Sequence, residues 1–407
     1  MLTVKTPDEA LEVIRGSFCC IAGEENVPLD QAAGRVLCKD IYASEYVPGF
    51  DRSTVDGYAV RAADTFGCTD AIPAILEKQA GIEMGSGAEP LRPGCCVPIP
   101  TGGALPEGAD AAVMQELAED YGDGTVGITK PAAPGMNIIY RGDDVYPGKP
   151  VLKRGKVLSA RHIGALAAMG MCEVPVYERI RVGIISTGDE LVEVEKTPAA
   201  GQIRDVNTAM LAALCREMGC DTVEYGIVRD EEKLIGSMLD RALNECHMVL
   251  MSGGSSVGEK DAACRIMAAR GEILFHGIAM KPGKPTILCK SGKKPVIGLP
   301  GHPGAAFLVS RLLLPQLLCS IGGRKVRRYP VQARLAEPVS ANHGRAQCTA
   351  VKLRFLYNGI IIKHQKTEPT YTKTSLFLCE KRRFFMARRE KGVVPIIYFE
   401  KERGKSF

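Results

Sequence analysis

Short apolar runs alternate with amphipathic segments between residues 179 and 320. The runs have the length and composition of buried strands, and they are RVGIIS, TVEYGIV, HMVLMS and PVIGL. Segments with helical periodicity, such as AMLAALCREM and AACRIMAA, lie between them. Strands that alternate with helices at this spacing predict a doubly wound, largely parallel sheet. We expect Asn207 or Thr208 to cap the first of these helices and Asp230 to cap the second.

Two helical patterns flank a stretch rich in glycine and proline in the first part of the chain. The sequence TPDE at residues 6–9 has the form of a capping box and predicts a helix through Ala10 to about Cys20. Ser159 is expected to cap a second helical pattern, which Gly170 ends. The stretch between them favours small strands and tight turns. The predicted domains are an interrupted N-terminal linker domain (1–45 and 150–178), a β-rich insert (46–149), an α/β domain (179–326) and a C-terminal small β-barrel (327–407).

Composition and charge narrow the class of protein. The 407 residues are 45% hydrophobic and 24% charged, with a net charge of +5, which is typical of a globular protein of several domains. The first residues carry charges where a signal peptide would be apolar, so we expect a cytoplasmic protein without a membrane segment. Fifteen cysteines without a CxxC pair indicate reduced, mostly buried thiols. The basic stretches near the C-terminus favour a solvated face over a nucleic-acid site.

Four loops follow the carboxyl ends of the predicted strands, where sheets of this kind bind ligands. Their glycines and helix N-termini offer backbone amides to phosphate, and their carboxylates suit Mg²⁺, which binds one or two acids together with phosphate oxygens. The sequence therefore predicts a phosphate and metal site at this edge. The residues of these loops are Thr187, Gly188, Glu190, Asp230, Ser252, Gly253, Gly254, Ser256, Gly258, Asp261, Pro300, Gly301 and Pro303.

Each of these features also has a simpler explanation. One glycine-rich loop after a strand is more often a turn, Asp230 alone is more often a helix cap, and His302 is as easily a spacer as a base. The convergence of four loops favours a site. In KPGKP, proline and glycine hold Lys281 and Lys284 on a short stiff segment, which would bind an oxyanion near the same edge or otherwise form an exposed basic turn.

Six motifs occur in the order found in one known family. They are FDRSTVDGYAV, PTGGALPEGADAAV, STGDEL, SGGSSVGEKD, KPGKP and LPGHPGAA. Together they resemble the signatures of MoeA-type molybdopterin molybdenumtransferases, the family of the gephyrin E domain, over about residues 1 to 325. The resemblance implies a Mg²⁺-dependent insertion of molybdate into adenylylated molybdopterin with release of AMP. It also implies an elongated homodimer of four-domain subunits.

The resemblance assigns roles to residues of the α/β domain. Glu190, Asp230 and Asp261 match acidic residues of the nucleotide and metal region, and Glu190 and Asp261 are the expected metal ligands. Lys281 and Lys284 match a basic pair near the oxyanion. The loop that contains Pro300 and Pro303 matches a rigid loop under the site.

Residues of the β-rich insert match further functional positions. Asp56 in DGYAV and Thr101 in PTGGALPEG match the motifs directly, whereas Asp144 matches with less motif support. In dimers of the family, this domain of one subunit faces the α/β domain of the other, so the resemblance implies a composite active site. A molybdopterin adenylyltransferase and other proteins of the cofactor pathway are the partners that it suggests.

The chain departs from the family at three places. Gly277 stands where many members have a lysine or arginine, Ser255 replaces a usual valine, and the last 80 or so residues lack the usual glycine-rich, serine-containing segment. Two alternative functions remain at this point. One is a non-catalytic dimeric scaffold of the same fold, and the other is a molybdopterin adenylyltransferase, which would release pyrophosphate from ATP. The acids and the two lysines favour the molybdenumtransferase.

Overall fold

A computed structural model describes most of the chain up to residue 325 and several strands beyond it. The described residues are 4–82, 85, 87, 89–253, 259–325, 331–335, 346–356, 359–364, 383–387 and 393–396. They contain six α-helices, namely α1 (Pro7–Ser17), α2 (Ala160–Ala168), α3 (Val206–Glu217), α4 (Glu232–Glu245), α5 (Glu259–Ala268) and α6 (Pro303–Ile321).

The first two helices begin as predicted. At α1 the Thr6 hydroxyl accepts a hydrogen bond from the Glu9 amide, and the Glu9 carboxylate accepts one from the Thr6 amide, which confirms the capping box. The helix ends at Ser17, earlier than predicted, because Phe18 is extended and its side chain packs into the core. At α2, Ser159 is the cap residue, as predicted.

Short strands are the most numerous regular elements before residue 178. The largest sheet of this part has the order β7-β4-β6-β5-β9-β8, and three two-stranded pairs, β1 with β12, β2 with β11 and β3 with β10, accompany it. The strands are β1 (Glu24–Pro28), β2 (Ile41–Tyr42), β3 (Arg52–Ser53), β4 (Gly57–Val60), β5 (Ala74–Lys78), β6 (Cys95–Ile99), β7 (Ala111–Met114), β8 (Ala118–Asp120), β9 (Thr125–Ile128), β10 (Ile138–Ile139), β11 (Pro150–Leu152) and β12 (Glu173–Tyr177).

The α/β part is built on a six-stranded sheet of order β16-β13-β17-β21-β20-β18. The first four strands are parallel, as predicted, whereas β20 and β18 are antiparallel and were not predicted. The strands of this part are β13 (Arg181–Thr187), β14 (Leu191–Val192), β15 (Ile203–Arg204), β16 (Asp221–Val228), β17 (Met248–Gly253), β18 (Glu272–His276), β19 (Met280–Lys281), β20 (Ile287–Ser291) and β21 (Lys294–Pro300).

Helices cover both faces of this sheet, and the alternation of side chains along the strands explains how. In β13, Ile184 packs against the helices α1, α3 and α6 on one face, whereas its neighbour Ile185 packs against α4 and α5 on the other. Leu250 and Val249 divide in the same way in β17. Because successive side chains of a strand point to opposite faces, a continuous apolar run is what a sheet covered on both faces requires.

Two helix caps differ from the prediction. The cap of α3 is Asp205, whose carboxylate accepts hydrogen bonds from the Thr208 amide and hydroxyl, so neither Asn207 nor Thr208 is the cap. The cap position of α4 is Glu231, so Asp230 does not cap this helix. Asn207 and Thr208 lie inside α3, and Asp230 lies in the loop before α4.

Helix α6 is long and apolar enough, at 19 residues, to cross a membrane by length and composition. In this structure 67% of its apolar window is buried, and it packs against α1, α3 and β21 in the largest core cluster. A core helix meets the same criteria, and the packing of α6 is that of a core helix.

The cysteines among the described residues have free thiols, and most are buried, as predicted. Burial raises the pKa of Cys96 and Cys215 to about 12 and that of Cys289 to about 11. A buried thiolate is unfavourable because the surroundings do not solvate its charge. These thiols therefore stay protonated at neutral pH.

The strands beyond residue 326 belong to one further sheet. Its order is β19-β23-β24-β22-β26, and β25 pairs with β23, so it includes the short strand β19 from the α/β part. A closed barrel here remains a prediction, as do the domain boundaries. The strands are β22 (Val331–Leu335), β23 (Ala346–Leu356), β24 (Gly359–His364), β25 (Arg383–Ala387) and β26 (Val393–Ile396).

Candidate functional site

A cleft lies at the carboxyl ends of β13, β17 and β21. Five of the predicted residues, from four separate segments of the chain, line it: Thr187, Asp230, Gly253, Pro300 and Gly301. Parallel strands end at the same edge of a sheet, which explains why these segments meet. The other described residues that line the cleft are Glu232, Ile235, Met251, Ala262, Ala263, His276, Pro285, Ile287, Gly298 and Leu299.

A buried network of polar side chains lies at the same strand ends. The Ser186 hydroxyl is 3.0 Å from an Asp205 carboxylate oxygen, 2.9 Å from the Thr208 hydroxyl and 3.1 Å from the Ser252 hydroxyl. These bonds join β13, β17 and the start of α3. Ser252 is buried, with 1% of its surface exposed. It connects the strand ends and does not line the cleft, where it was predicted. Buried polar groups that satisfy one another hold a site rigid.

Close packing explains the glycine at position 253. A β-carbon added there would overlap the Thr187 hydroxyl oxygen and lie 3.0 Å from the Thr187 β-carbon. At Gly188 the backbone has φ +151°, and an added β-carbon would lie 2.8 Å from a carboxylate oxygen of Glu190. The carboxylate of Glu190 therefore packs against Gly188, next to the lining residue Thr187.

Acidic loops after β13 and β16 approach each other. The Asp230 amide lies 3.4 Å from a carboxylate oxygen of Asp189, to which it donates a long hydrogen bond. Asp230 is half-buried and Glu190 is exposed. No cluster of three potential ligand residues occurs within the described part of the chain. These loops suit a cation that shares its coordination with a bound phosphate better than one held by protein groups alone.

The segment KPGKP lies beside the cleft, because its last residue, Pro285, is part of the lining. Lys281 and Lys284 are exposed. Backbone pairing holds both the residues just before the segment and its first residue. The Lys5 amide donates to the Gly277 carbonyl at 3.0 Å, and β19 pairs with β23 through the alignment of Lys281 with Gln347.

The structure brings together Asp56 and Thr101 of the β-rich insert. The Thr101 amide donates a hydrogen bond of 2.8 Å to the Asp56 carboxylate, so this acid is fixed against the PTGG loop. Asp144 is exposed, its carbonyl accepts a bond from Lys149, and its amide donates to Val47. None of the described residues that line the cleft comes from the insert.

Part of the predicted site lies outside the described residues, namely Gly254, Ser256 and Gly258. The backbone of Asp261 belongs to α5, but its side chain is likewise outside the description. Pro303 begins α6 beside the lining residue Gly301. Of the ten lining residues that were not predicted, two are ionisable, Glu232 and His276. No motif marks them, although His276 ends an apolar run, EILFH, that could have been recognised as a strand.

Two family models match this chain. One, described as "MoeA N-terminal region (domain I and II)", matches residues 5–170, and the other, "Probable molybdopterin binding domain", matches residues 183–318. A protein of Haemophilus influenzae named molybdopterin molybdenumtransferase is 35% identical over 308 residues, which are 75% of each chain. This chain belongs to the MoeA family.

Further relatives agree with this membership. Molybdopterin molybdenumtransferase 2 of Mycobacterium tuberculosis is 36% identical over 329 residues, which cover 79% of this chain and 81% of that protein. A crystal structure of the molybdopterin biosynthesis MoeA protein from Pyrococcus horikoshii OT3 superposes with a TM-score of 0.82 at 30% identity, over 97% of this chain and 98% of that one. The chain is therefore a MoeA-type enzyme of molybdenum cofactor biosynthesis.

Proposed function

We propose that this protein inserts molybdate into adenylylated molybdopterin and releases AMP. One observation carries the proposal: Thr187, Asp230, Gly253 and the Pro300–Gly301 pair, which the loops after the strands predicted at a phosphate and metal site, line a single cleft beside the lysine segment. Relatives named molybdopterin molybdenumtransferase support the substrate class. The motifs for these residues are distant in sequence, so their meeting is not a consequence of local structure.

The lining of the cleft suits a nucleotide or a pterin. The side chains of Ile235, Met251, Ile287 and Leu299 provide apolar surface, on which a flat heterocycle can pack. The start of α6 lies at the same edge, and unpaired amides at a helix N-terminus favour anions. An adenylylated pterin has both flat rings and phosphate, and it would use both properties of the cleft.

Mg²⁺ fits this donor set as an ion shared with substrate. Glu190 and Asp230 lie on neighbouring loops at the edge of the cleft, and hard carboxylate oxygens are its preferred protein ligands. Asp261, on α5, is the third acid of the proposal. When bound, Mg²⁺ would neutralise phosphate charge and so favour departure of AMP. The role of the chain is to hold the acids at the strand ends and the phosphate against backbone amides.

The proposal includes a composite site in a cytoplasmic homodimer. Asp56 is held by the Thr101 amide in the β-rich insert, and it would complete the α/β cleft of the second subunit. Symmetry then gives two equivalent sites per dimer. A molybdopterin adenylyltransferase would supply the substrate, since the reaction consumes an adenylylated pterin.

The test is to incubate the protein with adenylylated molybdopterin, Mg²⁺ and molybdate and to measure AMP by chromatography. We expect AMP release that requires both Mg²⁺ and molybdate. A matched incubation with molybdopterin and ATP distinguishes the adenylyltransferase, which would release pyrophosphate. If neither product forms although the adenylylated pterin binds, the protein acts as a scaffold and the proposal is wrong.

A further inference from the structure

The charge of the cleft poses a problem for an anionic ligand. Among the described lining residues, the side chains that can carry charge are Asp230, Glu232 and His276. Two of these three are carboxylates, which repel a phosphate or an oxyanion. Lys281 and Lys284 are exposed and are not among the described lining residues. His276 is therefore the one described lining side chain that can present a cation or a neutral N–H group to an anion.

His276 occupies a fixed position rather than a mobile loop. It is the last residue of β18, and it pairs with Ile287 of β20, which also lines the cleft. The next residue is fixed as well, because the Gly277 amide donates a hydrogen bond of 2.7 Å to the Thr286 carbonyl. The imidazole is half-buried. A donor on a paired strand keeps its orientation, and a preorganised hydrogen bond costs little ordering when the ligand binds.

Gly277 has no side chain that could donate a hydrogen bond to a ligand. Its backbone has φ +115°, which favours glycine, and a β-carbon there would lie 3.1 Å from a methyl group of Val4. The N-terminal segment thus occupies the space beside position 277, where the family resemblance implies a cation in many members. The adjacent imidazole lies at the cleft instead.

We propose that His276 is a further ligand-binding residue, and that its imidazole donates a hydrogen bond to an anionic oxygen held in the cleft. The oxygen belongs either to the phosphate of the nucleotide or to the tetrahedral oxyanion. This inference rests on the proposed function, which supplies its two ligands, the nucleotide and molybdate. Imidazole has two ring nitrogens, so one can donate to the ligand while the other contacts the protein.

The test measures binding of AMP and of molybdate separately, by isothermal titration calorimetry with Mg²⁺ present. We compare the wild type with His276→Leu, which removes the donor, and His276→Gln, which retains an N–H donor of similar reach. We expect His276→Leu to weaken one of the two ligands about 10-fold or more, and His276→Gln to recover part of the loss. The ligand that is weakened identifies the source of the anionic oxygen.

His247 provides a matched control, since it lies before β17, at the opposite end of the sheet from the cleft. Its ring accepts a hydrogen bond from the Arg181 amide, which an asparagine can also accept, so His247→Asn should bind both ligands as the wild type does. Equal binding of both ligands by the wild type, His276→Leu and His276→Gln would overturn the inference. If the wild type binds neither ligand nor adenylylated molybdopterin, the proposed function itself fails.

Thermal unfolding followed by circular dichroism checks that the His276 variants are folded. If His276→Leu unfolds, His276→Ala, which also lacks a side-chain donor, is compared with the wild type in its place: a weaker affinity for one ligand only supports the inference. Unchanged affinity of this variant for both ligands, or equal weakening of both, contradicts it, since loss of one hydrogen bond should affect one anion.

Discussion

The contact between Gly253 and Thr187 gives the most direct test of how the cleft is built. In Gly253→Ala the new methyl group would overlap the Thr187 hydroxyl oxygen and lie 3.2 Å from the Thr187 carbonyl oxygen. Thr187 is only 7% exposed, so it has little room to move away. Added volume of this kind in packed structure costs about 1 to 3 kcal/mol of unfolding free energy.

The effect on activity should exceed the effect on stability. Thr187 and Gly253 both line the cleft, and relieving the overlap requires one of them to shift by about 1 Å. A misplacement of this size in an active site can lower the rate about 100-fold. We therefore expect Gly253→Ala to remain folded in buffer, to unfold at a lower urea concentration and to lose about 99% of AMP release.

Urea unfolding is followed by circular dichroism, because the chain contains no tryptophan for fluorescence. A double variant, Gly253→Ala with Thr187→Ala, removes the overlapping hydroxyl and should recover about 1 kcal/mol of the lost stability. Gly164→Ala in α2 is the control, since nothing lies within 4 Å of a β-carbon there, and alanine favours a helix. If Gly253→Ala matches the wild type in both stability and rate, the packing argument is wrong.

Four further outcomes are expected. Glu190→Ala should lower Mg²⁺-dependent AMP release by on the order of 10²-fold, because an acid beside the phosphate is lost. Lys281→Ala should raise the molybdate KM roughly 10-fold at saturating pterin and leave pterin binding nearly unchanged. Verified heterodimers of Asp56→Ala and Asp261→Ala should recover about half of the activity, since one of two composite sites is intact. His162 should destabilise the protein in acid: burial, followed by two neighbouring cations, lowers its pKa below the usual 6.5. The stability that neutral His162 contributes is complete above pH 6.5 and is lost as the pH falls from 6.5 towards the lowered pKa of the folded state. His162→Gln should therefore lose less melting temperature than the wild type between pH 7 and pH 5.

Controls and contrary outcomes are specific to each experiment. Glu193→Ala, which removes an exposed partner of Lys196, should leave the Mg²⁺ dependence unchanged. Lys293→Ala, in the exposed turn before β21, should leave the molybdate KM unchanged. An unaltered molybdate KM in Lys281→Ala would place the oxyanion elsewhere, and inactive heterodimers would refute the composite site. An equal acid loss in the wild type and His162→Gln would remove His162 as the cause.

The parallel part of the fold was predictable because its strands are continuous apolar runs. The antiparallel strands β18 and β20 were missed, since glycines and prolines such as Gly277 and Pro282 interrupt the segment between them and mask the strand pattern. The cap of α3 was missed for a different reason. Asp205, Asn207 and Thr208 are all good caps, and the choice of Asp205 depends on Ser186, a residue of another strand that spacing along the chain does not reveal.

The candidate site was predictable where a motif marks it. Thr187, Gly253 and Pro300 belong to ordered signatures, and the structure places all three at one cleft. Asp230 was predicted both as a cap and as a ligand residue, and the structure removes the cap role because α4 begins after Glu231. His276 belongs to no signature, and its position depends on an edge strand, so only the folded structure brings it to the cleft.

The attachment of the lysine segment has a consequence for the order in which the protein matures. The backbone just before it pairs with Lys5, which is made first, and β19, which ends at Lys281, pairs with Ala346 and Gln347, which emerge from the ribosome more than 60 residues later. A nascent chain that ends near residue 325 can form the cleft, but the segment is then joined on one side only. Complete attachment of the lysine segment therefore waits for translation of the tail, and a premature stop after α6 would remove the pairing of β19 with β23.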